Sequence, residues 1–281
     1  MAQHPAIAPG RAAVVTGGAS GIGLAAAKRF HGLGMKVAIA DLDEGDLARA
    51  ATEIGGGAGR AAVMTVATDV SRKEDVDRLK AKVYAAFGEV AVLMNNAGTG
   101  KGGGPFENYE GWQRVIGTNL WGVINGLHVF APAMIAQGSD AAIVNTGSKQ
   151  GITTPPGDTA YNVSKAGVKV ATEGLQHVLR NTPGCKVSAH LLVPGWVHTG
   201  LTARQGTEKP PGAWSPDQLV DRLLERMGAG DFYIVCPDNE VSSELDGKRI
   251  LWAAGDIVEN RPPLSRWHPD YKDAFAEFLK A

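Results

Sequence analysis

Short apolar runs lie near 12–16, 37–41, 62–67, 90–95, 141–146, 186–193 and 232–236 of this 281-residue chain. Their lengths suit buried strands rather than helices. Between them the apolar positions change period. Ile22, Ala26, Phe30 and Leu33 share one side of a helix, and Val76, Leu79, Val83 and Phe87 form one stripe within 72–87. Two longer helices are predicted over about 110–138 and 158–181. Regular alternation of strand and helix predicts an α/β fold: a doubly wound, parallel, seven-stranded sheet with right-handed crossovers and helices on both faces. The chain reads as a single domain over 1–281, with a core of about 10–237 and a C-terminal extension over 238–281. In the extension, 242–254 has a helical pattern. Prolines prevent 261–269 from being helical throughout. Tyr271, Phe275, Phe278 and Leu279 are spaced as one helix face.

The first run breaks into Gly17-Gly18-Ala19-Ser20-Gly21-Ile22-Gly23 and then a helix. A strand, a glycine turn and a helix amino terminus form an anion site, because unpaired N–H groups and the positive end of the helix dipole face one point. Glycines let a pyrophosphate approach the backbone closely. The spacing is G-x-x-x-G-x-G rather than G-x-G-x-x-G. Asp41 ends the second run, eighteen residues after Gly23, where a carboxylate can accept from a ribose 2′-hydroxyl and would repel a 2′-phosphate. No Arg or Lys stands in the glycine loop or at Leu42-Asp43, which argues for NAD over NADP. Asp43 can cap the following helix independently.

Tyr161 and Lys165 are four apart, so on a helix they share a face, and Ser148 lies thirteen residues before the Tyr. A lysine charge near the phenol favours its ionisation, making it a usable proton donor or acceptor near neutral pH.

Together, Thr16-Gly17-Gly18-Ala19-Ser20-Gly21-Ile22-Gly23, Asn95-Asn96-Ala97-Gly98, Asn119, Ser148, Tyr161 and Lys165 resemble the short-chain dehydrogenase/reductase family, in its compact oxidoreductase branch. The resemblance implies a Rossmann-like sheet in the order 3-2-1-4-5-6-7 and a catalytic set of Asn119, Ser148, Tyr161 and Lys165. Tyr161 would exchange the proton, Lys165 would lower its pKa and bond the nicotinamide ribose, and Ser148 would hold the substrate oxygen. Asn119 would kink its helix and hold a water on a proton path through Lys165. The implied cofactor shell comprises Gly17, Ser20, Gly21, Ile22, Gly23 and Asp41, then Asp69 and Val70 at the adenine, and Asn96, Ala97 and Gly98 after the fourth strand. Tyr161, Lys165, Pro194, Gly195, Val197 and Thr199 would complete it at the nicotinamide end. Relatives pair their two long helices between subunits, so a homodimer or homotetramer is expected. A lid is implied over 199–227, its 202–214 part mobile. Residues 119–126 and 232–234 are similar to a bacterial subgroup that includes aryl-alcohol dehydrogenases of lignin breakdown. Gln150, Trp196 and Trp214, with Trp121, are candidates for a polar contact and an aromatic wall at the substrate.

Two departures from the family stand out. The catalytic Ser is followed by Lys149-Gln150 instead of small or apolar residues, and the chain continues past the seventh strand. That extension has three open roles: capping the sheet edge, closing the substrate pocket, or reaching a neighbouring subunit.

Composition narrows the classes. The net charge of −1 gives no sign of a nucleic-acid or anionic-membrane partner. Residues 1–11 contain no apolar leader and no run approaches the ~18 apolar residues of a membrane span, so a cytoplasmic location is expected. Two lone cysteines and seven scattered histidines make no metal spacing, so no metal is expected. The expected function is NAD(H)-dependent interconversion of a secondary alcohol and a ketone on an apolar or aromatic substrate. An NADP-dependent carbonyl or imine reductase, and a dinucleotide-sensing binding protein without turnover, stay open.

Overall fold

The structure is a computed structural model that describes residues 3–55, 62–202 and 208–280. Seven strands form one sheet: β1 (Ala12–Thr16), β2 (Lys36–Asp41), β3 (Val63–Ala67), β4 (Val92–Asn95), β5 (Ala141–Thr146), β6 (Val187–Val193) and β7 (Tyr233–Val235). They lie in the order β3-β2-β1-β4-β5-β6-β7, with every neighbouring pair parallel. The helices in chain order are α1 (Gly21–Gly32), α2 (Glu44–Gly55), α3 (Lys73–Phe87), α4 (Tyr109–Ile116), α5 (Gly122–Ala136), α6 (Gln150–Thr153), α7 (Thr159–Asn181), α8 (Pro216–Gly228), α9 (Ser243–Val258) and α10 (Lys272–Lys280).

The two-residue period of a strand sends alternate side chains into two cores. Ala13, Val15, Val37 and Ile39 pack with Ala26 and Phe30 of α1 and Leu219 and Leu223 of α8 on one face. Val14, Ala38 and Ala40 pack with Val76, Leu79 and Val83 of α3 and Phe130 and Met134 of α5 on the other. Both predicted helical stripes are thus core faces, with Ile22, Leu33 and Phe87 partly buried at their ends.

The predicted 110–138 helix is a continuous Tyr109–Ala136 rod that widens into a π turn over Gly117–Trp121, around Asn119. By length and composition this rod could cross a bilayer, but half of its most apolar window is buried inside the fold.

The extension folds onto itself around Trp252 of α9, which is 5% exposed. Phe275 and Phe278 of α10 pack on its ring at 5.2 Å, and the Arg261 guanidinium stacks at 4.0 Å. Trp252 Nε1–H donates to Ser265 Oγ (2.8 Å). The α9 helix then packs against α6, directly behind Ser148.

At the carboxyl ends of the central strands the polar side chains interlock. Asn95 and Asn145 are in register, and Asn95 Nδ2 donates to Asn145 Oδ1 (2.8 Å), whose own amide donates to Thr172 Oγ1 of α7 (3.0 Å). Helix α5 crosses this pair so closely that a Cβ on Gly126 would lie 2.1 Å from Asn95 Oδ1. Gly126→Ala should therefore lower stability by about 1–3 kcal/mol through overpacking, despite a helical gain of about 1 kcal/mol. Urea unfolding checks this, and an unchanged or higher midpoint contradicts it.

Candidate active site

A cleft of about 410 Å³ runs along the carboxyl edge of the sheet. At one end the β1–α1 loop presents Gly17, Ser20, Gly21 and Ile22 to it. Helices α4, α7, α8 and α9 each have a side-chain cap, but Ser20 at the amino terminus of α1 makes none. The first N–H groups of α1 are thereby left facing the cleft, as an anionic ligand requires. Gly23 does not line it. Its place is behind the loop, where a Cβ would lie 2.0 Å from the Gly17 carbonyl oxygen, so it permits the close contact of helix and strand.

Asp41 lines the cleft at the end of β2, with Asp69 and Val70 opposite. Its Oδ2 accepts from Ala19 N–H (3.0 Å) and its Oδ1 from Leu42 N–H (2.9 Å). Asp43 takes the capping role, accepting from Asp46 N–H (2.8 Å) at the start of α2. The two acids divide the work: one fastens the helix and the other faces the cleft.

Asn96, Ala97 and Gly98 form the wall after β4. Thr16 Oγ1 receives the N–H groups of Asn96 (2.9 Å) and Ala97 (3.2 Å), which ties that wall to β1. Pro194, Gly195, Val197 and Thr199 form the opposite wall after β6.

Ser148, Tyr161 and Lys165 meet at the inner end. The Ser148 and Tyr161 side chains line this end together, near enough for Ser148 to lower the phenol's pKa, and Ser148 Oγ accepts from Gln150 N–H (3.2 Å). Lys165 Nζ donates to the Thr146 carbonyl (2.8 Å) and sits 5.7 Å from the Tyr161 ring centroid. Asp158 caps α7 by accepting from Tyr161 N–H (3.1 Å), which fixes where the tyrosine begins its helical turn.

The expected lowering of the phenol's pKa by Lys165 is reversed in the cofactor-free protein. Burial pushes the Tyr161 pKa up, the Ser148 hydroxyl opposes that, and the Asp158 charge adds to it. Lys165 is itself lowered to about 8 by burial. Desolvation of two charge-bearing groups outweighs their mutual attraction across this gap.

Asn119 does not line the cleft. Thr99 N–H donates to its Oδ1 (2.7 Å), and its Nδ2 donates to the Thr99 carbonyl (2.9 Å) and to Ser164 Oγ (3.0 Å). It is fully buried and flanks Gly98 beside Lys165: a Cβ on Gly98 would stand 3.5 Å from Asn119 Oδ1 and 3.7 Å from Lys165 Nζ.

The three substrate candidates are not brought into the cleft. Gln150 is exposed at the start of α6. Trp196 is 39% exposed. Trp214 bridges to Val197 and packs against the α1–α8 core. Within the 202–214 stretch expected to be mobile, residues 203–207 lie outside the described residues.

Thr99, Arg114, Thr118, Thr146 and Leu201 line the cleft without having been singled out. Arg114 and Thr118 are four apart on the rod that carries Asn119, a helical spacing that could have marked them. Leu201 had no sequence signal, because its position depends on how the chain leaves β6. Among the described residues, no cluster of three metal-ligating side chains occurs, and both cysteines are free.

Comparison with known proteins agrees with this geometry. A family model described as short chain dehydrogenase matches residues 11–210. The 1-deoxy-11-beta-hydroxypentalenate dehydrogenase of Streptomyces exfoliatus is 34% identical over 265 residues, covering 92% of this chain and 94% of that protein. A short-chain dehydrogenase/reductase from Burkholderia phymatum, solved with NAD, is also 34% identical, with a TM-score of 0.81 over 92% of this chain and 97% of that one. A metagenomic short-chain oxidoreductase solved with NADP has 28% identity and a TM-score of 0.67, covering 82% of this chain and 98% of that one. The chain belongs to the short-chain dehydrogenase/reductase family. It is an NAD(P)-dependent oxidoreductase that acts on CH–OH groups.

Burial of Lys165 has a measurable cost. Its pKa is depressed in the folded state, so between pH 8 and its unfolded value of about 10.4 the unfolded chain binds more protons and stability rises with pH. Below pH 8 the full penalty applies. Lys165→Met should therefore stabilise the cofactor-free protein at pH 7 by roughly 1–3 kcal/mol and flatten that alkaline rise, as followed by thermal melts from pH 7 to 10. A variant less stable than the parent at pH 7 would refute the desolvation argument.

Proposed function

We propose that the protein is an NAD(H)-dependent dehydrogenase that interconverts a secondary alcohol and a ketone, with Tyr161 as acid/base. One observation carries the reading: Ser148, Tyr161 and Lys165 line one cleft with the Asp41 carboxylate and the uncapped amino terminus of α1.

The residues present fit a dinucleotide. The N–H groups of α1 would take the pyrophosphate, and Asp41 would accept from the adenosine ribose. Lys165 would hold the second ribose, and Val197 and Thr199 would meet the carboxamide. When bound, the nicotinamide supplies or accepts the hydride.

In the oxidative direction Ser148 holds the substrate hydroxyl and Tyr161 removes its proton, donating it back in reduction. Charge developing on that oxygen is stabilised by the two hydroxyl donors. Lys165, balanced near pH 8, can pass a proton onward in either direction without a large energetic step. Asn119 keeps the Thr99 loop against this end of the site.

NAD is favoured because Asp41 would stand against a 2′-phosphate. Among the described residues, the cationic side chains lining the cleft are Lys165 and Arg114. The Arg114 Nη2 group is turned toward the carbonyls of Gly100 (3.5 Å) and Lys101 (3.3 Å). An apolar substrate is supported by Leu201 at the mouth, and by the 34% identical relative named for oxidising a hydroxypentalenate.

With NAD and a panel of aliphatic, alicyclic and benzylic secondary alcohols, NADH should form, fastest on the larger apolar members. Tyr161→Phe should lose about a hundredfold to ten-thousandfold in kcat while NADH affinity stays near the parent's. Because the base must be deprotonated and the phenol pKa is raised, oxidation should climb with alkaline pH, and ketone reduction should fall over the same range. Near-parental turnover by the variant would place the acid/base elsewhere. In a separate comparison, Asp41→Ala should relax discrimination against NADP by about tenfold or more; an unchanged NAD/NADP ratio of kcat/KM would remove Asp41 as the determinant.

A further inference from the structure

The two departures from the family pattern meet in space. Lys149, next to the catalytic Ser, sends its side chain to the extension: Nζ lies 2.6 Å from Asp246 Oδ2 of α9 and 3.5 Å from Asp238 Oδ2. Asp238 is a joint. Its Oδ2 accepts from Trp196 N–H (3.1 Å), and its Oδ1 accepts from the N–H groups of Glu240 (3.1 Å) and Val241 (2.8 Å) to shape the turn that leads into α9. Next to it, Asn239 fastens the segment that precedes α8, with its N–H donating to the Gly212 carbonyl (3.0 Å).

All three charged groups are largely withdrawn from water, with side-chain exposures of 19% for Lys149, 7% for Asp238 and 6% for Asp246. Burial of this kind is costly for each ion and is compensated only while its partners remain. The cluster lies directly behind the cleft wall. A Cβ on Gly195 would stand 2.7 Å from Asp238 Oδ2 and 2.8 Å from Lys149 Nζ. Gly195 therefore leaves the room that the Lys149–Asp238 pair occupies. The backbone completes the frame, with Lys149 N–H donating to the Pro194 carbonyl (3.3 Å) and Cys236 N–H to the Val193 carbonyl (3.0 Å).

We infer that Lys149, Asp238 and Asp246 are positioning residues, and that the C-terminal extension acts as a strap holding Ser148 and the Pro194–Trp196 wall in register at the nicotinamide end. None of the three lines the cleft, so they act through the backbone they hold. The inference rests on the reading above that the nicotinamide half of the cofactor lies beside Ser148 and Tyr161. Removing a charge from the lock should loosen that end and leave the Asp41 end intact.

The test compares NADH with ADP-ribose, which lacks the nicotinamide, on the full chain at a temperature where circular dichroism shows every variant folded. Lys149→Met should weaken NADH binding about fivefold or more and lower kcat about tenfold or more, with ADP-ribose affinity within about twofold of the parent's. Asp246→Asn, which keeps the shape and an acceptor for Lys149, should show a smaller effect in the same direction, and it carries the test alone if Lys149→Met does not fold. The double variant should be no worse than Lys149→Met, because both changes break one contact. Parallel loss of NADH and ADP-ribose binding, no loss of either, or additive effects would each overturn the strap. If the parent turns over no alcohol at all, the dehydrogenase reading fails, and the gap between NADH and ADP-ribose still decides the lock.

Discussion

Everything functional in this protein depends on how the carboxyl edge of the parallel sheet is sealed. Strand ends in such a sheet leave backbone groups that must be satisfied in a region where helices crowd in from both faces. Two adjacent asparagines, Thr16 and Lys165 meet at this edge. Asn95 faces inward to Asn145 and, through it, to Thr172 of α7. Asn96 lines the cleft, its N–H donating to Thr16 Oγ1 and its Oδ1 accepting from the Thr146 hydroxyl. Lys165 closes the same frame by donating to the Thr146 carbonyl. Helix α7 is therefore bolted to the central strands by the polar groups at their ends.

That arrangement sets the electrostatics. Lys165 and Tyr161 are held where water is excluded, so each disfavours its charged form. The site holds a phenol whose pKa is raised beside a lysine whose pKa is lowered to about 8. Stability given up at Lys165 is the counterpart of proton mobility at neutral to mildly alkaline pH.

The extension follows the same logic at a second level. The wall after β6 is a loop held at Val197 and Thr199 by the Thr202 hydroxyl and at Trp196 by Asp238. Burying Lys149 against Asp246 and Asp238 ties that loop to a small helical unit organised around Trp252. A buried ion cluster ties the segments together because each charge loses its compensation if a partner moves.

Elements whose signal is local could be read directly from the amino-acid order. Strand periods, the stripes of α1 and α3, the glycine turn, the Asp41 and Asp43 pair and the Tyr161–Lys165 spacing all depend on residues near one another in the chain. Their positions in the fold follow from backbone periodicity. The π turn at Asn119 lay within a predicted helix because one extra residue in a turn leaves the apolar period almost unchanged. Aromatic composition does not say which side of a loop a ring will occupy, and Trp214 packs against the core while Trp196 stays partly exposed. The sign of the Tyr161 shift, the partners of Asn119 and the union of Lys149 with Asp246 were decided only in three dimensions. Each is set by burial and by contacts between segments far apart in sequence. Local chemistry determined which groups this protein would use, and tertiary packing determined their solvation and their neighbours.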